Sequence, residues 1–254
     1  MKNIKFDFNE KTAVITGASR GIGLAIANAF LDSGASVINI CKSKQKDSLH
    51  KTKYHFIRED INNLSAIEKI ISNFDTKGKK IDFWINNAGI YPQSRLMEVS
   101  ENDWDETFST NLKSLFFSSK FIAKHMQENG GGIILNASSF GAQMPSINSG
   151  IYATSKSAIV TLTKSMAAEW APYNIRVNCY SPGLVYTDMT KEIIEKNKEK
   201  ITSPIALSRF GSPEEIANVV LFLCSDAASY ITGEDIKING GKFLVQNQGE
   251  IYKK

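Results

Sequence analysis

The stretch "TAVITGASRGIG", residues 12–23, sets the architecture of the chain. It begins with a short apolar run, turns at Gly17, and leads into a segment whose apolar residues recur with helical spacing. Gly17, Gly21 and Gly23 have the spacing G-x-x-x-G-x-G. Residues without a Cβ let a backbone approach a phosphate closely, and the helix that follows offers free N–H groups. The stretch therefore predicts a strand, a phosphate-binding turn and a helix, although a plain strand-to-helix turn would have the same spacing.

The alternation of strand and helix continues along the chain. Apolar, strand-like runs are predicted at 12–16, 36–41, 54–58, 81–86, 132–138, 175–181 and 235–239. Helices are predicted from the Gly-rich turn to Gly34, and at 64–74, 103–128, 152–171 and 213–224. Continuous apolar strands are typical of a parallel sheet that is buried on both faces. The pattern predicts an α/β fold: one domain over residues 1–254, with a Rossmann-type doubly wound sheet of about seven parallel strands and helices on both faces.

Composition and charge exclude several classes of partner. Of the 254 residues 22% are charged, and the net charge of +4 is spread along the chain, so neither a nucleic acid nor a membrane partner is expected. The three cysteines, Cys41, Cys179 and Cys224, are widely spaced and form no metal-ligand pair. This pattern argues against a disulfide framework and for a reducing compartment. With no apolar run of 18 residues, the expected location is the cytoplasm. Because the cysteines form no metal-ligand pair, no metal site is expected.

Tyr152 and Lys156 lie four residues apart in "YATSK", which places them on one face of a predicted helix. An ordinary tyrosine has a pKa near ~10, too high for a proton shuttle at neutral pH. A nearby ammonium favours the phenolate and lowers that pKa. The pair is therefore a candidate general acid/base, although an exposed Tyr and Lys on any amphipathic helix would show the same spacing.

Further segments recur in a fixed order: "NNAG" (86–89), "STNLKSLFF" with Asn111, "NASS" (136–139) and "SPGLVYTDM" (181–189). Together with "TGASRGIG" and "YATSK", they resemble the short-chain dehydrogenase/reductase family from about Lys11 to Gly241. The closest subgroup by pattern is similar to bacterial 3-oxoacyl-carrier-protein reductases. The resemblance implies an NAD(P)-dependent oxidoreductase that transfers a hydride reversibly between nicotinamide and a carbonyl or secondary alcohol.

The resemblance also implies four catalytic residues. Tyr152 is the expected acid/base that protonates the carbonyl oxygen, and Lys156 is expected to lower its pKa and to bond the nicotinamide ribose. Ser139 is expected to hold the substrate oxygen, and Asn111 to fix its helix and a water that leads to Lys156. Ser138 is the neighbouring alternative, but the spacing of thirteen residues to Tyr152 favours Ser139. The expected role of Ser138 is a strand-end hydroxyl bonded to backbone.

The family's cofactor contacts carry over to residues in four groups. They are Gly17, Ser19, Arg20, Gly21, Ile22 and Gly23 at the phosphates, Asp60 and Ile61 at the adenine, Asn87, Ala88 and Gly89 at the ribose, and Pro182, Gly183, Val185 and Thr187 around the nicotinamide, which Tyr152 and Lys156 also reach.

The stretch "VINICKSKQK" (37–46) bears on which nicotinamide cofactor is bound. In the family an acid at the end of this strand binds the ribose hydroxyls and repels a 2′-phosphate. That position falls on Cys41, and a lysine, Lys42, follows it. Arg20 supplies a second cation from the Gly-rich turn, so NADP(H) is favoured over NAD(H). The alternative is that Lys42 points into water and the cofactor choice is loose.

The substrate and the assembly stay more open. Substrate-facing candidates are Ile90, Tyr91, Gln93, Gln143, Met144, Tyr186 and the polar segment 187–204, interpreted as a mobile substrate lid. They suit a small-molecule carbonyl or alcohol substrate, with a 3-oxoacyl thioester, free or carrier-protein-bound, as one option. Sugar/polyol or hydroxysteroid dehydrogenation and a non-catalytic cofactor-binding module are the alternatives. The resemblance further implies a homotetramer that pairs the helices predicted at 103–128 and 152–171.

Overall fold

The sheet of the computed structural model has seven strands. The structure describes residues 6–43, 52–188, 190–191 and 201–245. The strands are β1 (Thr12–Thr16), β2 (Ser36–Ile40), β3 (Tyr54–Ile57), β4 (Phe83–Asn86), β5 (Gly132–Ala137), β6 (Ile175–Pro182) and β7 (Asp235–Ile238). Their spatial order is β3-β2-β1-β4-β5-β6-β7, and every neighbouring pair is parallel.

Helices cover both faces of the sheet. They are α1 (Gly21–Asp32), α2 (Leu64–Asp75), α3 (Glu101–Phe108), α4 (Ser114–Glu128), α5 (Gly150–Trp170) and α6 (Pro213–Cys224). One apolar cluster joins α1 and α6 to the sheet, and a second joins α2, α4 and α5 to its other face. Neighbouring residues of β1 face opposite clusters, Val14 one and Ile15 the other, and both are fully buried. The predicted doubly wound α/β fold is therefore confirmed.

The segment predicted as a helix at 103–128 is helical from Glu101 to Glu128, with a change of winding in its middle. Ser100 and Asp103 form a capping box at the start of this segment. A π-helical turn over Ser109–Lys113 separates α3 from α4. Turns of this kind hold one extra residue and often occur at functional sites.

A layer of polar side chains lies between the sheet and α4. Asn86 accepts a hydrogen bond from the indole of Trp84 at 2.7 Å and donates to Ser119 and Asn136, both at 2.8 Å. All four side chains are buried, so each bond satisfies a group whose burial would otherwise cost free energy. The layer fixes the end of β4 immediately before the segment that carries Asn87.

Some predictions fall wholly or partly outside the described residues. Of the proposed lid, positions 189 and 192–200 lie outside them, as does 246–254 of the C-terminal tail. All three cysteines are free, as expected. In the part of the chain that the structure describes, no helix is long and apolar enough to cross a bilayer.

Candidate active site

The carboxyl edge of the sheet collects the residues that the sequence motifs singled out. Gly17 follows β1, Asn87 follows β4, Ser139 lies just beyond β5, and Gly183 follows β6. The strand order reverses direction between β1 and β4, and ligands of open α/β sheets bind at such a point. The candidate site is thus a continuous row along one edge.

The Gly-rich turn is packed too closely for side chains. Gly17 has a φ of 69°, and a Cβ there would lie 2.9 Å from the Cα of Ala88. A Cβ on Gly23 would lie 2.5 Å from Nδ2 of Asn87. That amide donates to the carbonyls of Thr16 at 3.1 Å and Gly17 at 3.2 Å. Asn87 therefore ties the turn to the end of β4.

The first turn of α1 fits an anion. No side chain caps the helix at Arg20, and its first turn has no acidic residue, so its N–H groups are left to a ligand. Gly21, with a φ of 57°, keeps the backbone bare at this point, and Arg20 is exposed beside it. These features suit the diphosphate of a nicotinamide dinucleotide.

One side chain of β2 and one that follows the strand hold the same turn, and sequence reasoning missed this role. Asn39 is fully buried; its Oδ1 accepts the N–H of Ala18 at 3.0 Å, and its Nδ2 donates to Tyr54 at 2.9 Å. Two residues further, the Cys41 thiol donates to Oγ of Ser19 at 3.3 Å. The available signal was a polar residue inside the apolar run "VINI". β2 therefore shapes the phosphate turn as well as the ribose region.

Lys42 lies at the predicted adenosine end. Its Nζ is 3.0 Å from Oδ2 of Asp60, and its side chain is 80% exposed. The hydrogen bond and charge of Asp60 raise the pKa of Lys42. The backbone N–H of Asn62, followed by Lys42 itself, lowers the pKa of Asp60 against the opposing effect of burial. The structure thus brings Lys42 to the residue expected at the adenine, with Ile61 buried beside it.

Tyr152 and Ser139 meet at the start of α5. Ser139 accepts the N–H of Gly141 at 3.0 Å, which orients its hydroxyl beside the phenol of Tyr152. The ring of Tyr91 packs edge-on against that of Tyr152, with centroids 4.6 Å apart. Burial raises the pKa of Tyr152, although the bond with Ser139 acts in the opposite direction. Tyr152 is therefore a protonated phenol in the chain by itself.

Lys156 lies one turn along α5, with its ammonium buried. Its Nζ donates to the carbonyl of Ala137 at 2.7 Å and lies 5.8 Å from the ring centroid of Tyr152. Burial lowers the pKa of Lys156 to about 8. In the chain by itself burial raises the pKa of Tyr152, and the group that acts to lower it is Ser139. A Cβ on Gly89 would lie 3.1 Å from Oδ1 of Asn111 and 3.5 Å from Nζ, so the backbone after β4 passes close to the ammonium.

Asn111 lies in the π-helical turn and forms hydrogen bonds with the loop after β4. Its Oδ1 accepts the N–H of Ile90 at 2.8 Å, and its Nδ2 donates to the carbonyl of Ile90 at 3.0 Å. The same Nδ2 donates to Oγ of Ser155 on α5 at 3.1 Å. Asn111 thus fixes the loop and the helix on either side of Lys156. The water expected between Asn111 and Lys156 stays a prediction.

Ser138 and Ser139 are separated by their contacts. The Ser138 hydroxyl is buried and donates to the carbonyl of Lys156 at 3.1 Å, the backbone bond expected of a strand-end serine. Only Ser139 of the two bonds Tyr152.

The predicted nicotinamide side follows β6. A Cβ on Gly183 would lie 2.7 Å from the Cα of Asn239, and Val185 pairs with Gly211 in an isolated bridge. The N–H of Thr187 bonds to Thr190 at 3.0 Å. A cleft of about 270 Å³ runs between α1 and this segment. Its walls include Gly21, Leu24, Ala25, Tyr186, Thr187 and Pro213.

Asp235 is a second residue that sequence reasoning missed. It accepts hydrogen bonds from Gln143 at 2.9 Å and from Ser181 at 2.5 Å. Gln143 was expected to face the substrate, but its amide faces β7 instead, because Asp235 offers a carboxylate there. The loop between Ser139 and α5 is therefore fastened to the sheet.

Known proteins resemble the chain over nearly its whole length. A family model described as enoyl-(acyl carrier protein) reductase matches residues 17–242. The 3-oxoacyl-[acyl-carrier-protein] reductase FabG of Chlamydia pneumoniae is 38% identical over 238 residues, covering 91% of this chain and 96% of that protein. The NAD-dependent glycerol dehydrogenase of Listeria innocua is 38% identical over 241 residues, covering 93% and 95%. A short-chain dehydrogenase/reductase described as a glucose/ribitol dehydrogenase, from Brucella melitensis, matches with a TM-score of 0.88 and 35% identity, covering 94% and 98%.

Proposed function

The chain belongs to the short-chain dehydrogenase/reductase family of oxidoreductases, and we propose that it is an NADPH-dependent carbonyl reductase whose catalytic residues are Asn111, Ser139, Tyr152 and Lys156. The observation that carries the proposal is the convergence of three side chains at one point. The half-buried Tyr152 phenol lies beside the hydroxyl of Ser139, and the buried Nζ of Lys156 lies 5.8 Å from the centroid of its ring.

These residues can move one proton and hold one oxygen. When bound, the nicotinamide supplies the hydride that adds to the carbonyl carbon. Tyr152 then donates its phenolic proton to the carbonyl oxygen, while Ser139 donates a hydrogen bond to that oxygen as negative charge develops there. The ammonium of Lys156 stabilises the phenolate that remains. In the reverse direction the phenolate accepts the alcohol proton.

The test of this proposal is NADPH oxidation with a panel of ketones, using Tyr152→Phe and a matched tyrosine control. Tyr173 is exposed and distant from the acid/base cluster, so Tyr173→Phe should retain activity. Tyr152→Phe should lower kcat by about 10²- to 10⁴-fold, since the acid is lost, with a much smaller change in the Kd for NADPH. If Tyr152→Phe kept more than a tenth of the activity, Tyr152 would not be the acid.

The preference for NADPH rests on charge at the end of β2. Cys41 stands where an acid would repel a 2′-phosphate, and Lys42 and Arg20 are both exposed at this edge of the sheet. In the structure Nζ of Lys42 lies 3.0 Å from Oδ2 of Asp60. A bound 2′-phosphate would replace Asp60 as the ion-pair partner of Lys42.

Kinetics with both cofactors test that preference. Lys42→Met should lower the ratio of kcat/KM for NADPH to that for NADH on the order of tenfold, because one phosphate contact is lost. Lys69→Met, at an exposed position of α2, serves as the control for loss of one surface charge. An unmoved ratio in Lys42→Met would remove Lys42 from the phosphate site.

For the substrate, a 3-oxoacyl thioester is the first candidate. The loops on either side of Tyr152 expose Leu96, Met97, Met144 and Ile147, a surface that suits an acyl chain. FabG relatives carry the name of that activity, whereas the glycerol and glucose/ribitol dehydrogenases make a polyol the second candidate. Reduction of an acetoacetyl thioester should exceed oxidation of glycerol or ribitol in kcat/KM; the reverse order would select the polyol class.

A homotetramer is proposed from the outer surface of the helices. A cleft of about 410 Å³ between the α3–α4 segment and α5 is lined mainly by Phe108, Leu112, Phe116 and Leu162. A face of this composition is expected to be covered by a second copy, because soluble monomers rarely expose such patches. Light scattering should give four times the chain mass of 28.1 kDa, and Phe116→Glu should lower it; a monomeric wild type would contradict the proposal.

A further inference from the structure

Lys242 is a cation held between two aromatic rings at the edge of the candidate site. Its Nζ lies 5.0 Å from the ring centroid of Phe140 and 5.6 Å from that of Phe243. The two rings are nearly parallel, 6.2 Å apart. Attraction of an ammonium to the faces of these rings fixes where the charge sits.

This ammonium has no anionic partner within the chain as described. Among the described residues, no acidic side chain forms an ion pair with Lys242, and no hydrogen bond from its Nζ is found. The side chain is half-buried, and burial lowers its pKa. A desolvated charge without a counter-ion is costly, and a bound anion would offset that cost.

The cation shares a wall with the acid/base cluster. Phe140 directly follows Ser139, and a Cβ on the next residue, Gly141, would lie 3.4 Å from Oγ of Ser139 and 3.6 Å from the ring of Tyr152. Lys242 follows β7, and β5, β6 and β7 are neighbours whose carboxyl ends lie at one edge. A substrate held at Ser139 therefore lies beside the aromatic pair and its cation.

We propose that Lys242 binds an anionic group, a carboxylate or a phosphate, on the same molecule as the reacting carbonyl. The inference rests on the proposed reductase function and adds a substrate class to it: acidic oxo compounds over neutral ones of the same size. Phe140 and Phe243 position the ammonium and cover the apolar chain that links carbonyl to anion, while the ammonium donates charge-assisted hydrogen bonds to the anion.

Paired substrates test the charge directly. A series of oxo-acids from 4-oxopentanoate to 8-oxononanoate is compared with the matching primary amides, and dihydroxyacetone phosphate with dihydroxyacetone. The measured quantity is the ratio of kcat/KM for the anion to that for its neutral partner, which cancels general effects on the fold. The two kinds of pair distinguish a carboxylate from a phosphate.

The variants are Lys242→Met, Lys242→Arg and the control Lys237→Met, which removes an exposed charge from β7. The ratio should fall about tenfold or more in Lys242→Met for at least one kind of anion, and it should be kept in Lys242→Arg and Lys237→Met. A ratio that Lys242→Met leaves unchanged in every pair overturns the proposal.

Calorimetric titration of the same anions into the protein with NADP⁺ separates this inference from the reductase assignment. Tighter binding to wild type than to Lys242→Met supports the anion site even if no carbonyl is reduced. The lack of carbonyl reduction would then contradict only the reductase assignment. Equal binding to the two proteins overturns the anion site while leaving the reductase activity to its own test.

Discussion

Asn39→Leu should weaken the phosphate turn without touching any predicted catalytic group. Asn39 is fully buried, and its Oδ1 is the partner of the Ala18 N–H at 3.0 Å. Leucine has a similar size but no acceptor, so the buried N–H of Ala18 is left unpaired at a cost of about 1–3 kcal/mol. The hydroxyl of Tyr54 also loses a donor, but Tyr54 is half-buried and its hydroxyl can turn to water at little cost.

Urea unfolding and NADPH titration measure this effect. The free energy of unfolding should fall by about 1–3 kcal/mol with an unchanged m-value, and the Kd for NADPH should rise on the order of tenfold because Ala18 and Ser19 shift together. Asn73→Leu, at an exposed position of α2, is the control and should change stability by less than about 0.5 kcal/mol. If Asn39→Leu were as stable as wild type and bound NADPH equally well, the bond to Ala18 would not hold the turn.

Four further substitutions have distinct outcomes. Gly23→Ala places a Cβ 2.6 Å from the carbonyl oxygen of Gly17, so calorimetry should show much weaker NADPH binding; normal affinity would mean that the turn yields freely. Ser139→Ala should lower kcat, whereas Ser138→Ala, which loses a backbone bond, should mainly lower the free energy of unfolding by about 1 kcal/mol; equal effects on kcat would contradict the assignment. Burial lowers the pKa of Lys156 from 10.5 to about 8, so the folded state disfavours its charge below pH 8 and is relieved of that cost as the pH rises to 10.5. Lys156→Met should therefore raise the free energy of unfolding at pH 7, by on the order of 1–3 kcal/mol, and urea unfolding should show this gain shrinking from pH 8 to 10.5 rather than growing.

The sheet could be predicted because most of its strands are continuous apolar runs. The predicted run 12–16 is β1 itself, and 54–58 differs from β3 by one residue. The run 81–86 began two residues early, because Ile81 and Asp82 are buried but precede the ladder that starts at Phe83. Apolar composition predicts which residues are buried, whereas the bounds of a strand depend on its hydrogen-bonded pairing with a neighbouring strand.

The missed residues depend on contacts between distant parts of the chain. Asn39 bonds Ala18 across 21 residues, and Asp235 bonds Gln143 across 92. Neither pairing has a local pattern, so spacing could not find it. The rise in the Tyr152 pKa depends on the surroundings of the phenol in the fold, whereas only its spacing to Lys156 is visible in the sequence; the lowering of that pKa by Lys156 stays a prediction.

The π-helical turn at Ser109–Lys113 makes the site sensitive to the number of residues in this helical segment. Each residue of an α-helix advances the rotation by about 100°. Because a π turn accommodates its extra residue without adding that rotation, removing one residue would restore regular α-helical winding and bring a different side chain to the position of Asn111. Replacement of a side chain leaves the winding intact, whereas a deletion also moves Asn111 away from Ile90. Between Ser100 and Glu128, indels should accordingly be far less tolerated than substitutions.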